Sequence, residues 1–186
     1  FSTDIDKKLR ILNRLKFLFI GELTQKKGIE QFLETAKKFS NLAEFNVVGM
    51  AKESCKELFE PYKAYVNFLG YVLPEKLKQI YNNNDVFVFP SIGDGFGLVV
   101  LEAMSMSLPV IASKNSGAFD VIKNGENGYL FNAGESSELF TIIEDLILSP
   151  NKIQFMGINA RNKAKNYTWN EYDKKIASMV SLIFTK

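Results

Sequence analysis

The chain has 186 residues, of which 46% are hydrophobic and 24% are charged, a composition typical of a globular protein. Its net charge of +2 argues against nucleic acid as a partner, and its complete lack of histidine excludes a catalytic histidine or a histidine-ligated metal. No apolar run approaches the ~18 residues of a membrane span, and the single cysteine, Cys55, is typical of a reducing compartment such as the cytoplasm.

In chain order, short apolar runs alternate with segments of helical periodicity. The first run, 17–20, is followed by apolar residues at helical spacing, and the alternation continues along the chain. Leu58 and Phe59 indicate a short helix that ends before Pro61. The predicted strands are 17–20, 45–48, 66–69, 86–89, 110–112 and 129–131, and the last predicted helices are 137–148, 151–166 and 169–184.

Alternation of strands and helices favours right-handed crossovers, so the strands should form a parallel sheet with helices on both faces. The predicted fold class is therefore a doubly wound, Rossmann-like α/β domain that spans residues 1–186. Ligands of such sheets bind beyond the carboxyl ends of the strands, near the point where the strand order reverses. Glycines follow the first four predicted strands at this edge: Gly21, Gly49, Gly70 and the set Gly93, Gly95 and Gly97.

The segment PSIGDGFGLVVLEAM places a glycine-rich turn between a predicted core strand and an apolar helix. Gly95 and Gly97 allow backbone N–H groups to approach a ligand, and the helix that begins near Leu98 directs its positive end towards the same point. This arrangement predicts an anion site, most naturally for phosphate. Glu102, one turn into the helix, can accept two hydrogen bonds from a ribose diol, and Asp94 can accept from sugar hydroxyls.

On these residues alone a simpler interpretation stays open, in which Asp94 only caps the turn and Glu102 is only a solvated helix residue. The segment matches neither the G-x-G-x-x-G dinucleotide fingerprint nor the phosphate-binding P-loop. The nearby Lys26 and Lys27 are equally compatible with a solvated helix start.

Four other stretches follow one another in the order of a known family's motifs: FIGELTQKKG, VNFLGYVLPEKLKQIYNNNDVFVFPS, SGAFDVIKNGENGYLF and YTWNEYDKKI. A fifth, GDGFGLVVLEAMSMSLPVIAS, contains two carboxylates, Asp94 and Glu102, separated by seven residues. Together these stretches cover most of the chain. They resemble the C-terminal, donor-binding domain of retaining, nucleotide-sugar-dependent glycosyltransferases of the GT-B fold.

The resemblance implies transfer of a sugar from a UDP- or GDP-sugar to a glycan or lipid-linked acceptor, with retention of anomeric configuration. The expected setting is bacterial surface polysaccharide or glycolipid synthesis in the cytoplasm, and peripheral contact of the full-length protein with the inner face of the membrane stays open. No metal and no cofactor besides the donor is implied. In this family the acceptor site lies largely on an N-terminal domain. The chain starts without Met, so we expect a fragment that lacks this domain and transfers little or nothing alone.

By resemblance, Glu102 binds the nucleotide ribose, Asp94 contacts the donor sugar and Lys27 binds the diphosphate. The family usually has Glu at the position of Asp94, so this chain reaches the sugar with a shorter side chain. The family commonly has Arg directly after the first glycine, Gly21, where this chain has Glu22. A carboxylate at that position would repel the leaving diphosphate unless it turns away.

The resemblance also assigns donor contacts to the backbone. The segment after the third strand would lie against the base, and the glycine turn with the start of its helix would hold the diphosphate or the sugar. One hypothesis is that Lys26 replaces the missing Arg on the diphosphate. The backbone positions assigned in this way are Tyr71, Val72, Gly95, Phe96, Gly97 and Leu98.

Three alternatives from other classes stay open. One is a non-catalytic module that binds a nucleotide sugar, and another is a nucleotide-sugar epimerase of similar architecture, although the acidic motif with GFG fits transferases better. The third is a phospho-receiver domain, which is also doubly wound. Gly70 argues against it, because it stands where the third strand of a receiver should present the phosphoacceptor Asp.

Overall fold

The computed structural model describes residues 14–51, 53–95 and 97–184, and all structural statements concern these residues. Residues 1–13 of the predicted domain lie outside this range. The strands are β1 (Lys16–Ile20), β2 (Glu44–Val48), β3 (Asn67–Phe68), β4 (Val86–Phe89), β5 (Val110–Ser113) and β6 (Gly128–Phe131).

The strands form one parallel sheet in the order β3-β2-β1-β4-β5-β6. The predicted six-stranded, doubly wound sheet is therefore confirmed. Phe17 of β1 is in register with Phe45 of β2 on one side and with Val86 of β4 on the other. β3, at the edge, is shorter than the predicted run 66–69.

Helices cover both faces of the sheet, as predicted. In the described part of the chain, no helix has both the length and the apolar character needed to cross a membrane. The α-helices are α1 (Ile29–Phe39), α2 (Pro74–Asn82), α3 (Leu98–Ser105), α4 (Ser136–Leu148), α5 (Asn151–Ala164) and α6 (Trp169–Phe184).

The helix predicted from Leu58 and Phe59 is present as a 3₁₀-helical stretch, Glu53–Tyr62, which extends one residue beyond Pro61 and does not end before it. Proline disrupts an α-helix because its ring clashes with the carbonyl four residues earlier and because it lacks an N–H. The segment around Pro61 is 3₁₀-helical and not α-helical, in keeping with this restriction.

Two apolar layers explain why the strands are continuous hydrophobic runs. Phe17 and Phe19 of β1 point to one face, where Phe17 stacks on Phe45 at 5.3 Å between ring centroids and where α1 and α4 pack. Leu18 and Ile20 point to the other face, against α2, α3 and α5. A strand buried on both faces has no polar alternation, which is the pattern of a parallel sheet.

The strand order reverses between β1 and β4. The chain leaves β1 through α1 on one face, towards β2, and leaves β4 through α3 on the other face, towards β5. The two loops therefore separate at the carboxyl edge of the sheet and leave a crevice, which is where doubly wound proteins bind ligands.

The glycines that follow β1, β2 and β3 form a row along this edge. The N–H of Gly21 donates to the carbonyl of Val48 at 3.0 Å, and the N–H of Gly49 donates to the carbonyl of Gly70 at 2.9 Å. A Cβ added to Gly49, whose φ is +142°, would lie 1.8 Å from the carbonyl oxygen of Gly21. Only glycine permits this close approach of two backbone segments.

Candidate functional site

Lys27, predicted to bind the diphosphate, and Asp94, predicted to contact the donor sugar, meet across the crevice. Lys27 ends a short 3₁₀ turn after β1, and Asp94 lies in the glycine turn after β4. Lys27 Nζ donates to Asp94 Oδ2, and the two side chains are 29% and 19% exposed. A charged pair at this depth is screened less than a surface pair, so the crevice contains a fixed cation with a carboxylate beside it.

Small hydroxyl groups and carbonyls hold the loops after β1, β4 and β5 together. The carbonyl of Lys26 accepts from the N–H of Ile92 at 2.9 Å and from Ser91 Oγ at 3.1 Å. Ser113 Oγ in turn donates to the carbonyl of Ser91, and both serine residues are fully buried. Ser91 and Ser113 were not predicted from the sequence. The available signal was a serine within two residues of the end of a core strand.

Asp94 also shapes its own turn. Its Oδ1 accepts from the N–H of Gly95 at 3.0 Å, and the N–H of Gly117 donates to the carbonyl of Gly95 at 2.7 Å. The simpler interpretation of Asp94 as a turn cap is thus true of one oxygen, while the other oxygen pairs with Lys27. Phe96, the next residue and a predicted backbone contact, lies outside the described residues.

Helix α3 begins where the sequence predicts, at Leu98. Gly97 precedes it with φ +70°, and a Cβ there would lie 2.8 Å from the Phe89 ring. No side chain among the described residues caps this end by a hydrogen bond. The first N–H groups of a helix have no partner within the helix, so the start of α3 presents donors and a positive dipole end at the crevice.

Glu102 lies one turn further along α3, with its side chain exposed. Its Oε2 accepts a hydrogen bond of 2.9 Å from the hydroxyl of Tyr81 on α2. Burial raises the pKa of Tyr81 well above its usual range, and the nearby negative charge of Glu102 and this hydrogen bond raise it further. Tyr81 was not predicted as a site residue. The missed signal is that a buried tyrosine hydroxyl needs a polar partner.

Gly21 and Glu22 lie where β1 ends. Gly21 is bonded to the sheet edge through its N–H, and the carbonyl of Glu22 accepts from the N–H of Thr24 at 2.9 Å. The side chain of Glu22 is exposed. The Glu22 carboxylate can therefore point away from the crevice and be hydrated by solvent. In that orientation it does not repel a diphosphate bound in the crevice.

A cavity of about 230 Å³ opens beside the carboxyl ends of β2 and β3. Its lining is mostly apolar and includes Leu23, Met50, Phe59 and Gly70. Tyr71, which follows Gly70, is 67% exposed, and the half-buried Val72 packs on the core. Gly70, which precedes the predicted base contacts, lines this apolar cavity, whereas Tyr71 and Val72 do not line it.

The predicted positions lie along the carboxyl edge of the sheet. Lys27, Asp94 and the start of α3 come together, Glu102 lies one turn beyond them, and the segment after β3 lies along the same edge. Among residues 14–51, 53–95 and 97–184, no three acidic or cysteine side chains gather as metal ligands.

Comparisons with known proteins identify relatives of this chain. The sulfoquinovosyl transferase of Arabidopsis thaliana is 35% identical over 157 residues, which cover 80% of this chain and 30% of that protein. The capsular polysaccharide biosynthesis glycosyltransferase CapM of Staphylococcus aureus is 29% identical over 156 residues, covering 80% of this chain and 40% of CapM. The chain therefore spans less than half the length of these relatives.

A solved structure of Anabaena HepE in complex with UDP-glucose superposes with a TM-score of 0.80 at 26% identity, and covers 91% of this chain and 49% of HepE. The fold is that of the Rossmann-like domains of GT-B glycosyltransferases. The family model "Glycosyl transferases group 1" matches residues 1–163. Because this match covers most of the chain, the chain belongs to the glycosyl transferases group 1 family.

Proposed function

We propose that this chain is the donor-binding half of a retaining glycosyltransferase and holds a nucleoside diphosphate sugar at the carboxyl edge of its sheet. The observation that carries the proposal is the meeting of Lys27 with Asp94 beside the open start of α3, with Glu102 one turn away. A cation and free N–H groups suit a diphosphate, and carboxylates on its two sides suit a sugar and a ribose. HepE, a structural neighbour, was solved with UDP-glucose.

Sugar transfer forms a bond between an acceptor hydroxyl oxygen and the anomeric carbon and breaks the bond between that carbon and a diphosphate oxygen. The electron pair stays on the diphosphate oxygen, and the acceptor's proton passes to the leaving diphosphate. Lys27, the backbone around Gly97 and the positive end of α3 stabilise this growing negative charge without having to reorganise. The diphosphate competes with Asp94 for Lys27. Once Lys27 turns to the phosphates, the Asp94 carboxylate is available to accept from hydroxyls of the donor sugar.

The acceptor half of the reaction belongs to residues beyond this chain, which spans 30% to 49% of the proteins compared above. We propose a glycan or lipid-linked acceptor, in line with the capsular role that CapM's name states. We propose that the chain's own groups stabilise the charge on the leaving diphosphate, with no metal ion and no cofactor besides the donor. It places the enzyme in the cytoplasm, with any membrane contact made by the other half.

Saturation-transfer NMR with a panel of UDP-, GDP- and ADP-sugars tests the proposal. We expect at least one donor to show strong saturation at its ribose and base protons, because these groups contact Glu102 and the segment after β3. The sugar protons next to Asp94 should also respond. A panel in which no nucleotide sugar receives saturation would refute the proposal.

Glu102→Ala should weaken nucleotide binding by about tenfold or more, because hydrogen bonds to a charged carboxylate contribute about 1.5–3 kcal/mol. The ribose signals should fall most in the NMR experiment. Glu144→Ala is the matched control, since Glu144 is an exposed glutamate on α4. Equal binding by the two variants would remove Glu102 from the site.

A further inference from the structure

We infer that Tyr81 is a positioning residue for the nucleotide ribose, because its hydroxyl holds the Glu102 carboxylate in the orientation that receives the ribose diol. This inference rests on the proposed function. It assigns a role to a buried side chain on α2 that does not itself touch the donor.

Glu102 is exposed, whereas its partner Tyr81 is only 3% exposed. A free surface glutamate samples several rotamers, and fixing it when a ligand binds opposes binding. The 2.9 Å hydrogen bond from the Tyr81 hydroxyl occupies one lone pair of Oε2. A carboxylate offers about four acceptor positions, so Oε1 and the rest of Oε2 stay available for two ribose hydroxyls.

Tyr81 is itself firmly held. Its ring meets Phe87 of β4 edge-on, with the centroids 6.1 Å apart. The end of α2 is tied to the sheet through Asn84, whose Nδ2 donates to the carbonyl of Ile80 at 2.8 Å and whose Oδ1 accepts from Asn46 Nδ2 at 2.7 Å. The hydroxyl that orients Glu102 is thus fixed by the same strand that leads into the glycine turn.

The direction of the hydrogen bond is also fixed. Burial raises the pKa of Tyr81, and the negative charge of Glu102 and the hydrogen bond to it act in the same direction. The phenol therefore keeps its proton at neutral pH and donates it, while the carboxylate accepts. A donor that never loses its proton can orient an anion across the whole physiological pH range.

Calorimetry with two probes, UDP and 2′,3′-dideoxyuridine diphosphate, tests the inference on the 186-residue chain. The second probe lacks both ribose hydroxyls that would donate hydrogen bonds to Glu102. Tyr81→Phe keeps the ring against Phe87 and removes only the hydroxyl. We expect it to raise the Kd for UDP about threefold to tenfold and to leave the Kd for the dideoxy probe within about twofold.

The chain offers a comparison variant in Tyr62, whose hydroxyl donates to Glu34 and not to Glu102. Tyr62→Phe removes the same group from the same kind of pair and should leave both Kd values unchanged. If Tyr81→Phe raised the two Kd values equally, or kept the wild-type preference for UDP, Tyr81 would have a structural role only and the inference would be wrong.

Glu102→Ala separates this inference from the function on which it rests. If Glu102→Ala no longer prefers UDP over the dideoxy probe, and Tyr81→Phe shows a smaller preference than the wild type, the ribose role of Glu102 and the positioning role of Tyr81 are both supported. Loss in Glu102→Ala alone overturns the role of Tyr81 and leaves the ribose role of Glu102 intact. A preference that survives in Glu102→Ala overturns the ribose assignment and the inference with it.

Discussion

Replacing Gly28 with alanine is expected to lower the free energy of unfolding by about 3 kcal/mol and to abolish nucleotide binding. Gly28 joins the Lys27 turn to α1 with φ +71°, a conformation that costs an L-residue about 1–2 kcal/mol. In addition, the new Cβ would lie 1.9 Å from the carbonyl oxygen of Pro90, so one of the two loops must move. That movement separates Lys27 from Asp94.

Thermal unfolding and UDP calorimetry on Gly28→Ala measure the two effects. Gly125→Ala is the control, because Gly125 has nearly the same φ, +74°, and nothing within 4 Å of its added Cβ. The free energy of unfolding of Gly125→Ala should fall only by the conformational cost, about 1–2 kcal/mol, and the variant should bind UDP normally. Equal losses of stability in the two variants would show that the close contact with Pro90 does not contribute to the effect of Gly28→Ala.

Lys27→Ala should weaken UDP binding by about 30-fold, at least as much as any other single lysine change, since a hydrogen bond to a charged group contributes about 2 kcal/mol. The loss has two sources. The diphosphate loses its cation, and Asp94, only 19% exposed, stays behind as an unpaired negative charge next to it. The exposed Lys123, between β5 and β6, supplies the control, and Lys123→Ala should leave the Kd unchanged. Lys26→Ala is a separate test: an unchanged Kd would reject Lys26 as a substitute for the missing arginine.

Asp94→Asn distinguishes the two sources. In the double variant Lys27→Ala, Asp94→Asn the repulsion is gone, so UDP should bind more tightly than it does to Lys27→Ala alone. In the single variant Asp94→Asn, UDP should bind at least as well as to the wild type, because nothing competes for Lys27, whereas UDP-glucose should lose affinity with its sugar contact. An unchanged Kd for UDP in Lys27→Ala would remove the phosphate role of Lys27.

Much of the fold was predictable because the core strands are buried on both faces. Phe17 and Leu18 face opposite layers, and both are fully buried, so the strand had to be a continuous apolar run. The start of α3 at Leu98 was predictable from the glycine that precedes it. These features are local in sequence, and local pattern is enough to predict them.

The pairing of Lys27 with Asp94 was not predictable, because it joins residues 67 positions apart. It depends on β1 lying next to β4, and an order of strands is not visible in their hydrophobicity. The role of Tyr81 was missed for a related reason. Helical spacing shows which face of α2 is buried, but it does not show that a hydroxyl on that face reaches α3.

The hydrogen bonds that join Lys26, Ser91 and Ser113 involve main-chain groups and small hydroxyls, none of which depends on the identity of a donor. Exposed side chains along the same edge of the sheet, such as Glu22 after β1 and Tyr71 after β3, take no part in those hydrogen bonds. Substitutions at these positions can therefore change which sugar or base is accepted without disturbing the hydrogen bonds that hold the loops together. Divergence in substrate preference should concentrate in these outward positions.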